Sequence, residues 1–440
     1  MSHVYFIHGN RLCLASYTAR EARWETLADI EGRLLDSLEF DELSAEPGGA
    51  ARPTAEFLGE ALALAKGGDH EGAAALRASA DPAELQSAPA LLALAEIHYY
   101  AGNVDEAQEH AEAAVELGPA AVQPRLTLAW LAISRGDSAA AVATLREGIR
   151  LSDPDPVLYA TLGSALAEGG LWKEAIAAAE HALELDDGES EAWVTLGRAR
   201  LERGEFDAAI EKFKRATAVE PRAVRGHFFL ADAYMATGRF GESESELQMA
   251  AVIAPEDLDV RIALGVCYGA QGEYPAAIDT LKIALIIDPE NVAAHIMLAT
   301  AHREIGSLDE ALKLSQEAAR LDPSNAVIQL GIGQIHTQQG RRAEAIRAYR
   351  AAIQLDPESV MGLNGLAWEY SQVEGRREEA ISVARQPCEY PNAQYLVFTS
   401  LASLYANDGQ MENAAAALQR ARQLKPAATK KFRSRGDSPR

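Results

Sequence analysis

The chain has 440 residues, 48% of them hydrophobic and 24% charged, and its 41 Lys and Arg against 65 Asp and Glu leave a formal net charge of −24. That length exceeds one compact core, so several domains or a repeat array are expected. A surface so acidic repels phosphate backbones and anionic lipid, which sets nucleic acid and membrane surfaces aside as partners.

The longest apolar runs, such as IALII at 283–287, are too short to span a bilayer, and no early basic-then-apolar stretch marks an export signal. Cys13, Cys267 and Cys388 lie far apart with no CxxC pair, which fits a reducing, cytoplasmic compartment and no zinc framework. Arg outnumbers Lys 32 to 9 in an alanine-rich chain, which points to a GC-rich bacterial genome.

In chain order, residues 1–53 come first as a small β-rich element and linker. VYFIHGNRLCLASY, residues 4–17, alternates β-branched, aromatic and aliphatic residues around His8-Gly9-Asn10, which predicts a β-hairpin. RWETLADI and RLLDSLEF, either side of Glu31-Gly32, read as a second hairpin or, through Trp24, Leu27, Leu34 and Leu38, as helix. AEPGGAARP at 45–53 is a linker. An isolated hairpin is marginally stable, so this piece either caps the neighbouring fold that begins at residue 54 or is a separate docking or dimerisation module.

From residue 54 to residue 428 a 34-residue unit repeats eleven times, starting at 54, 88, 122, 156, 190, 224, 258, 292, 326, 360 and, after one inserted residue, 395. Position eight is always small, from Ala61 through Gly163, Gly197, Gly265 and Gly333 to Ala402, and position twenty is small throughout, from Ala73 to Ala414. Position fifteen is glycine every time, from Gly68 to Gly409. Glycine reaches backbone angles that a side chain forbids, so it ends a first helix, and a second helix then returns antiparallel. Small residues at eight and twenty let the two backbones approach, while larger residues at four, seven and eleven fill the seam. Proline at position thirty-two, as in Pro119, Pro221, Pro255, Pro289, Pro323, Pro357 and Pro426, fixes where a unit stops.

Trp193, Leu196, Gly197, Ala209, Phe213, Ala216 and Pro221 make this pattern resemble the tetratricopeptide repeat, with Arg200 standing in place of the usual tyrosine. The resemblance implies an all-α, right-handed solenoid of stacked antiparallel helix pairs over 54–428, behind the small N-terminal hairpin. It implies binding of other proteins as the function, without specifying which.

In that family, positions two, five, nine, twelve and thirteen of the first helix line a concave groove. Here the candidate groove residues are Val157, Ala160, Ser164, Glu191, Val194, Arg198, Leu201, Arg225, Phe228, Asp232 and Met235, continuing through Asp259, Ile262, Val266, Ile296 and Arg303. Tyr99 and Trp130 near one end and Trp368 near the other are the candidate anchors, because large aromatics carry much interface energy. An apolar floor with interspersed charge suits an extended segment or an amphipathic helix of a partner protein. The family's clamp for a chaperone's C-terminal carboxylate needs lysine at position five and asparagine at nine, and no unit here has that pair.

No P-loop, HExxH, GxSxG, CxxC or GxGxxG pattern occurs, so neither catalysis, a cofactor nor a metal is expected. His98, His302 and His336 occupy position eleven as half-buried replacements for tyrosine. The last unit has no polar capping helix after it, so its second helix, through Leu418 and Leu424, is a candidate surface for a homo-oligomer. Residues 429–440, TKKFRSRGDSPR, form a basic tail that is expected to be disordered. The sequence therefore reads as a cytoplasmic scaffold or adaptor, not an enzyme. The alternative is a regulatory or targeting subunit of a larger complex that docks through residues 1–53.

Overall fold

A computed structural model describes residues 2–8, 11–17, 54–66, 69–78, 84–390 and 395–424. At the N-terminus, strands β1 (Ser2–His8) and β2 (Arg11–Tyr17) pair antiparallel in the register Ser2↔Tyr17 to His8↔Arg11. The antiparallel strand pairing expected over 4–17 is thus in place, with β1 beginning two residues earlier, at Ser2. The expected second hairpin, the 45–53 linker, Gly68 and the 429–440 tail lie outside the described residues.

The rest is helical. The first five repeats contribute α1 (Thr54–Lys66), α2 (His70–Ala78), α3 (Ala88–Tyr100), α4 (Val104–Leu117), α5 (Val122–Ser134), α6 (Ser138–Leu151), α7 (Pro156–Glu168), α8 (Trp172–Leu185), α9 (Ser190–Glu202) and α10 (Phe206–Val219). Repeats six to eight contribute α11 (Val224–Ala236), α12 (Phe240–Ile253), α13 (Leu258–Gln271), α14 (Tyr274–Ile287), α15 (Val292–Glu304) and α16 (Leu308–Leu321). The last three give α17 (Ala326–Gln338), α18 (Arg342–Leu355), α19 (Val360–Ser371), α20 (Arg377–Arg385), α21 (Tyr395–Asn407) and α22 (Met411–Leu424).

Several helix starts and stops have a local cause. Ten position-fifteen glycines, Gly102 to Gly409, hold positive φ of 71–80° between the two helices of a pair, and the next residue closes the turn, as in Asp137 N–H to Ala132 O at 2.9 Å. Asp155, Asp257, Asn291, Asn325 and Ser359 each accept a hydrogen bond from a free N–H of the following first helix, which satisfies donors that the helix itself cannot. The prolines at position thirty-two fall two residues beyond helix ends such as Leu117, Val219 and Ile253.

Position eight works as a contact point between paired helices. A Cβ added to Gly197 would sit 2.4 Å from Phe213, one on Gly265 would sit 2.6 Å from Leu281, and one on Gly333 would sit 2.7 Å from Tyr349. First helices also pack on the first helices of neighbouring repeats, as α7 does on α9 and α9 on α11. They form an inner layer and the second helices an outer one, which makes the chain a solenoid. The core runs along the seam between layers as successive clusters, such as that of Ala209, Phe213, Ala216, Leu230 and Tyr234.

The tenth repeat is irregular. Pro387 lacks the N–H a helix needs, so α20 stops at Arg385 and a short 3-10 turn, Gln386–Glu389, replaces its last turns.

Candidate functional site

The inner layer presents positions two, five, nine, twelve and thirteen along one side, and two open hollows lie on that side. The first has a volume of about 230 Å³ and involves repeats eight to ten, where Ile296, Val327, Leu330 and Met361 provide an apolar lining and Arg303 and Gln334 a polar edge. Val327 and Met361 are exposed, and nothing lies within 4 Å of the place a Cβ on Gly331 would occupy, so the hollow has no lid. Arg303 donates to Gln334 Oε1 and, at 2.6 Å, to Glu304 Oε1, while its buried Nε has no hydrogen-bond partner.

The second hollow, about 470 Å³, lies across repeats three to six and is lined by Trp130, Val157, Val194, Glu189, Glu191 and Arg225 among others. Arg225 organises it. Its guanidinium lies 5.8 Å from the Trp130 ring centroid, three repeats back, and Nη2 donates to Ser164 Oγ at 3.2 Å. The same nitrogen is 3.3 Å from Glu191 Oε1 and 3.9 Å from Glu168 Oε1, and Arg198 Nη1 donates to Glu168 at 2.8 Å. Arg198 and Arg225 also sit over the Phe229 ring, at 4.9 and 5.8 Å. The result is a strap of paired charges over aromatic faces. Beside it, burial and then the carboxylates of Asp186, Asp155, Glu220 and Glu191 push the Glu189 pKa up.

Between the hollows the floor carries Phe228, Asp232, Met235, Ile262 and Val266. All but Asp232 are half-buried; Phe228 and Met235 lean on the cluster around Leu247, Val260 and Leu264. Asp232 is open to solvent on one side, yet loss of water around it raises its pKa. Leu201 is half-buried against the Phe213 cluster. Trp368 is 55% exposed, and Tyr99 is exposed with its ring edge-on to Tyr100, 5.4 Å between centroids. Trp130 comes together with Arg225.

Val194 departs from the expectation. It is 1% exposed and belongs to the core cluster with Ala209 and Phe213, so it forms the base of a hollow and offers no free side chain. Its position-five neighbour Ala160 and the position-nine Ser164 are also buried, because small residues there let α7 and α9 close on each other: Thr195 Cγ2 lies 3.4 Å from where a Cβ on Gly163 would be. Val327 and Met361 went unread as site residues, although they obey the same position-two rule in repeats nine and ten. Glu189, Glu220 and Arg222 lie in the loops between repeats and had no such signal.

Among the described residues, no three His, Cys, Asp or Glu side chains come together as a metal set, and no helix is long and apolar enough to cross a membrane. His98, His302 and His336 are half-buried, as read from position eleven.

A tetratricopeptide repeat family model matches residues 92–257 and 262–368 in overlapping stretches, and a second model of the same repeat matches 397–427. The chain belongs to the tetratricopeptide repeat family. No curated protein matches the sequence. Among solved structures, yeast Tom70 is similar at 15% identity and a TM-score of 0.48, over 85% of this chain and 92% of that one. A tetratricopeptide repeat protein from Parabacteroides merdae ATCC 43184 is similar at 16% identity and 0.46, over 54% and 93%. YrrB, described as having an unusual peptide-binding site, is similar at 18% identity and 0.36, over 42% and 95%. Tetratricopeptide repeats generally mediate protein–protein interactions, and the family membership extends that coarse statement to this chain.

Proposed function

We propose that this chain is an adaptor whose inner trough receives a segment of another polypeptide, in extended or helical form, carrying aliphatic side chains and mixed charge. The hollow of repeats eight to ten carries the reading. Exposed Val327 and Met361 stand over Ile296 and Leu330 there, an apolar lining on a face that a merely soluble solenoid would keep polar. Arg303 at its edge supplies a positive partner for a carboxylate or carbonyl of the segment. Toward the N-terminal half, the Arg225 strap and Trp130 offer paired charges and an aromatic face to the rest of the segment.

Panning a displayed peptide library against the purified chain tests this. Enriched peptides are expected to share an aliphatic anchor and to bind Val327→Glu/Met361→Glu at least tenfold more weakly by calorimetry. Both residues are exposed, so the variant keeps its fold, and peptides that bind it as tightly as the wild type would remove the trough from the account.

A further inference from the structure

Positions 26 and 29 of the repeat lie one turn apart on the outer face of the second helix, and comparing them along the solenoid isolates one place. In repeat three they are Glu147 and Arg150, in repeat four His181 and Glu184, and in repeat eight Glu317 and Arg320. Each of these pairs bonds across its own turn, at 2.5, 3.1 and 2.7 Å. In repeats six and seven the same positions are Met249 and Val252 on α12 and Ile283 and Ile286 on α14. These four are 48%, 77%, 40% and 78% exposed. Repeats six and seven therefore hold an apolar patch at positions where repeats three, four and eight hold bonded polar pairs and repeat five holds Arg215 and Ala218, on the side of the molecule away from the trough.

We infer that a second copy of this chain covers the patch, back to back, about a two-fold axis that runs parallel to α12 and α14 between repeats six and seven. The flanking charges select this arrangement. Such an axis reverses the order of repeats, so six faces seven and five faces eight, while positions along each helix stay level. Position 22 of repeat five is Glu211 and that of repeat eight is Lys313; position 26 is Arg215 in repeat five and Glu317 in repeat eight. Both levels set opposite charges against each other, twice per dimer. An axis along the solenoid would place repeat five on repeat five and bring Arg215 toward its own copy, a like-charge contact. The apolar patch supplies the attraction and the flanking pairs the register, since exposed pairs alone contribute little. Four side chains on a convex surface make a small interface, so the dimer is a micromolar one. Its two troughs face outward, which makes the assembly bivalent.

Sedimentation velocity of the full chain across micromolar concentrations is the experiment. Wild type is expected to pass from monomer to dimer, and Val252→Glu/Ile286→Glu to remain monomeric with unchanged helical circular dichroism. Reversing only repeat five, with Glu211→Lys and Arg215→Glu, is expected to weaken the dimer at least tenfold. Adding Lys313→Glu and Glu317→Lys to that chain restores it, which a merely structural disturbance would not do. A wild-type chain that stays monomeric, a dimer indifferent to the patch variant, or a patch that binds a different protein while the chain stays monomeric overturns the proposal.

Discussion

Phe213 fills the space that Gly197 leaves: a Cβ on the glycine would lie 2.4, 2.6 and 2.8 Å from three ring carbons of a fully buried phenylalanine. At Ala129 and Ala231, the same position of other repeats, the core partner from the second helix is the smaller Leu145 or Leu247. Glycine admits an aromatic ring in repeats five and nine, at Phe213 and Tyr349, while in repeat seven Gly265 meets Leu281.

Gly197→Ala is expected to destabilise the middle repeats by about 1–3 kcal/mol through overpacking, more than the roughly 1 kcal/mol of helix propensity it gains. Phe213→Leu in the same chain reproduces the Ala231 and Leu247 pairing and should recover most of the loss. Urea unfolding followed by circular dichroism reads both; a Gly197→Ala midpoint equal to wild type would rule out the overpacking.

Glu369, buried at the junction of repeats nine and ten, accepts from Thr337 Oγ1 at 2.6 Å and pairs with Arg342 Nε at 3.4 Å. The Tyr349 hydroxyl is 3.2 Å from the same Thr337 oxygen. Glu369→Ala removes the acceptor for the Thr337 hydroxyl and the partner of Arg342, at an expected cost of about 1–3 kcal/mol. Faster amide hydrogen exchange in residues 326–371 is the signature, and Glu369→Gln, which keeps an acceptor, should show less of it.

Stability of the N-terminal repeats should fall on acidification. Burial, and after it the Arg77 guanidinium 2.5 Å from His98 Nε2, holds His98 below its usual 6.5, and burial followed by Arg77 does the same to His110. Both imidazoles are thus kept neutral in the fold, while the unfolded chain protonates them near pH 6.5. The contribution is whole above that pH and is lost as pH drops through the depressed folded values. Thermal melts between about pH 7.5 and pH 5 are expected to show the decline, and His98→Gln/His110→Gln to flatten it. An equally steep profile in that variant would assign the effect elsewhere.

Cys267 and Cys388 should be slow nucleophiles. Burial, aided by Glu389, pushes the Cys388 thiol up to about 11, and burial raises Cys267 as well. The thiolate is the reactive form, so both remain largely thiols at neutral pH. Iodoacetamide labelling read peptide by peptide in a mass spectrometer should show both protected in the native chain and both modified in denaturant. Rapid native labelling of either one would contradict the burial.

The fold was legible because its rule is local. Gly197, Ala209 and Gly204 each act within one helix pair, so a 34-residue window contains the whole physical cause. The trough was legible only in part because its burial is set between repeats. Val194 and Ile262 share position five, yet one is sealed and the other half-open, since Ala160 and Ser164 allow a close approach on the preceding helix that depends on how tightly successive pairs wind. The strap from Arg225 to Trp130 joins residues 95 positions apart, 225 less 130, and no periodic pattern signals such a contact. Pro387 was visible as a residue, but its effect on α20 depended on the helix it interrupts.

That strap changes how the molecule should come apart. In a ladder whose rungs lean only on the next, melting creeps inward from the tips and every rung has its own threshold. Arg225 ties the third rung to the sixth through Trp130, and catches Ser164 and Glu191 on the way. Rungs three to six should therefore open together as one block, leaving a stiff cradle after the ends have frayed.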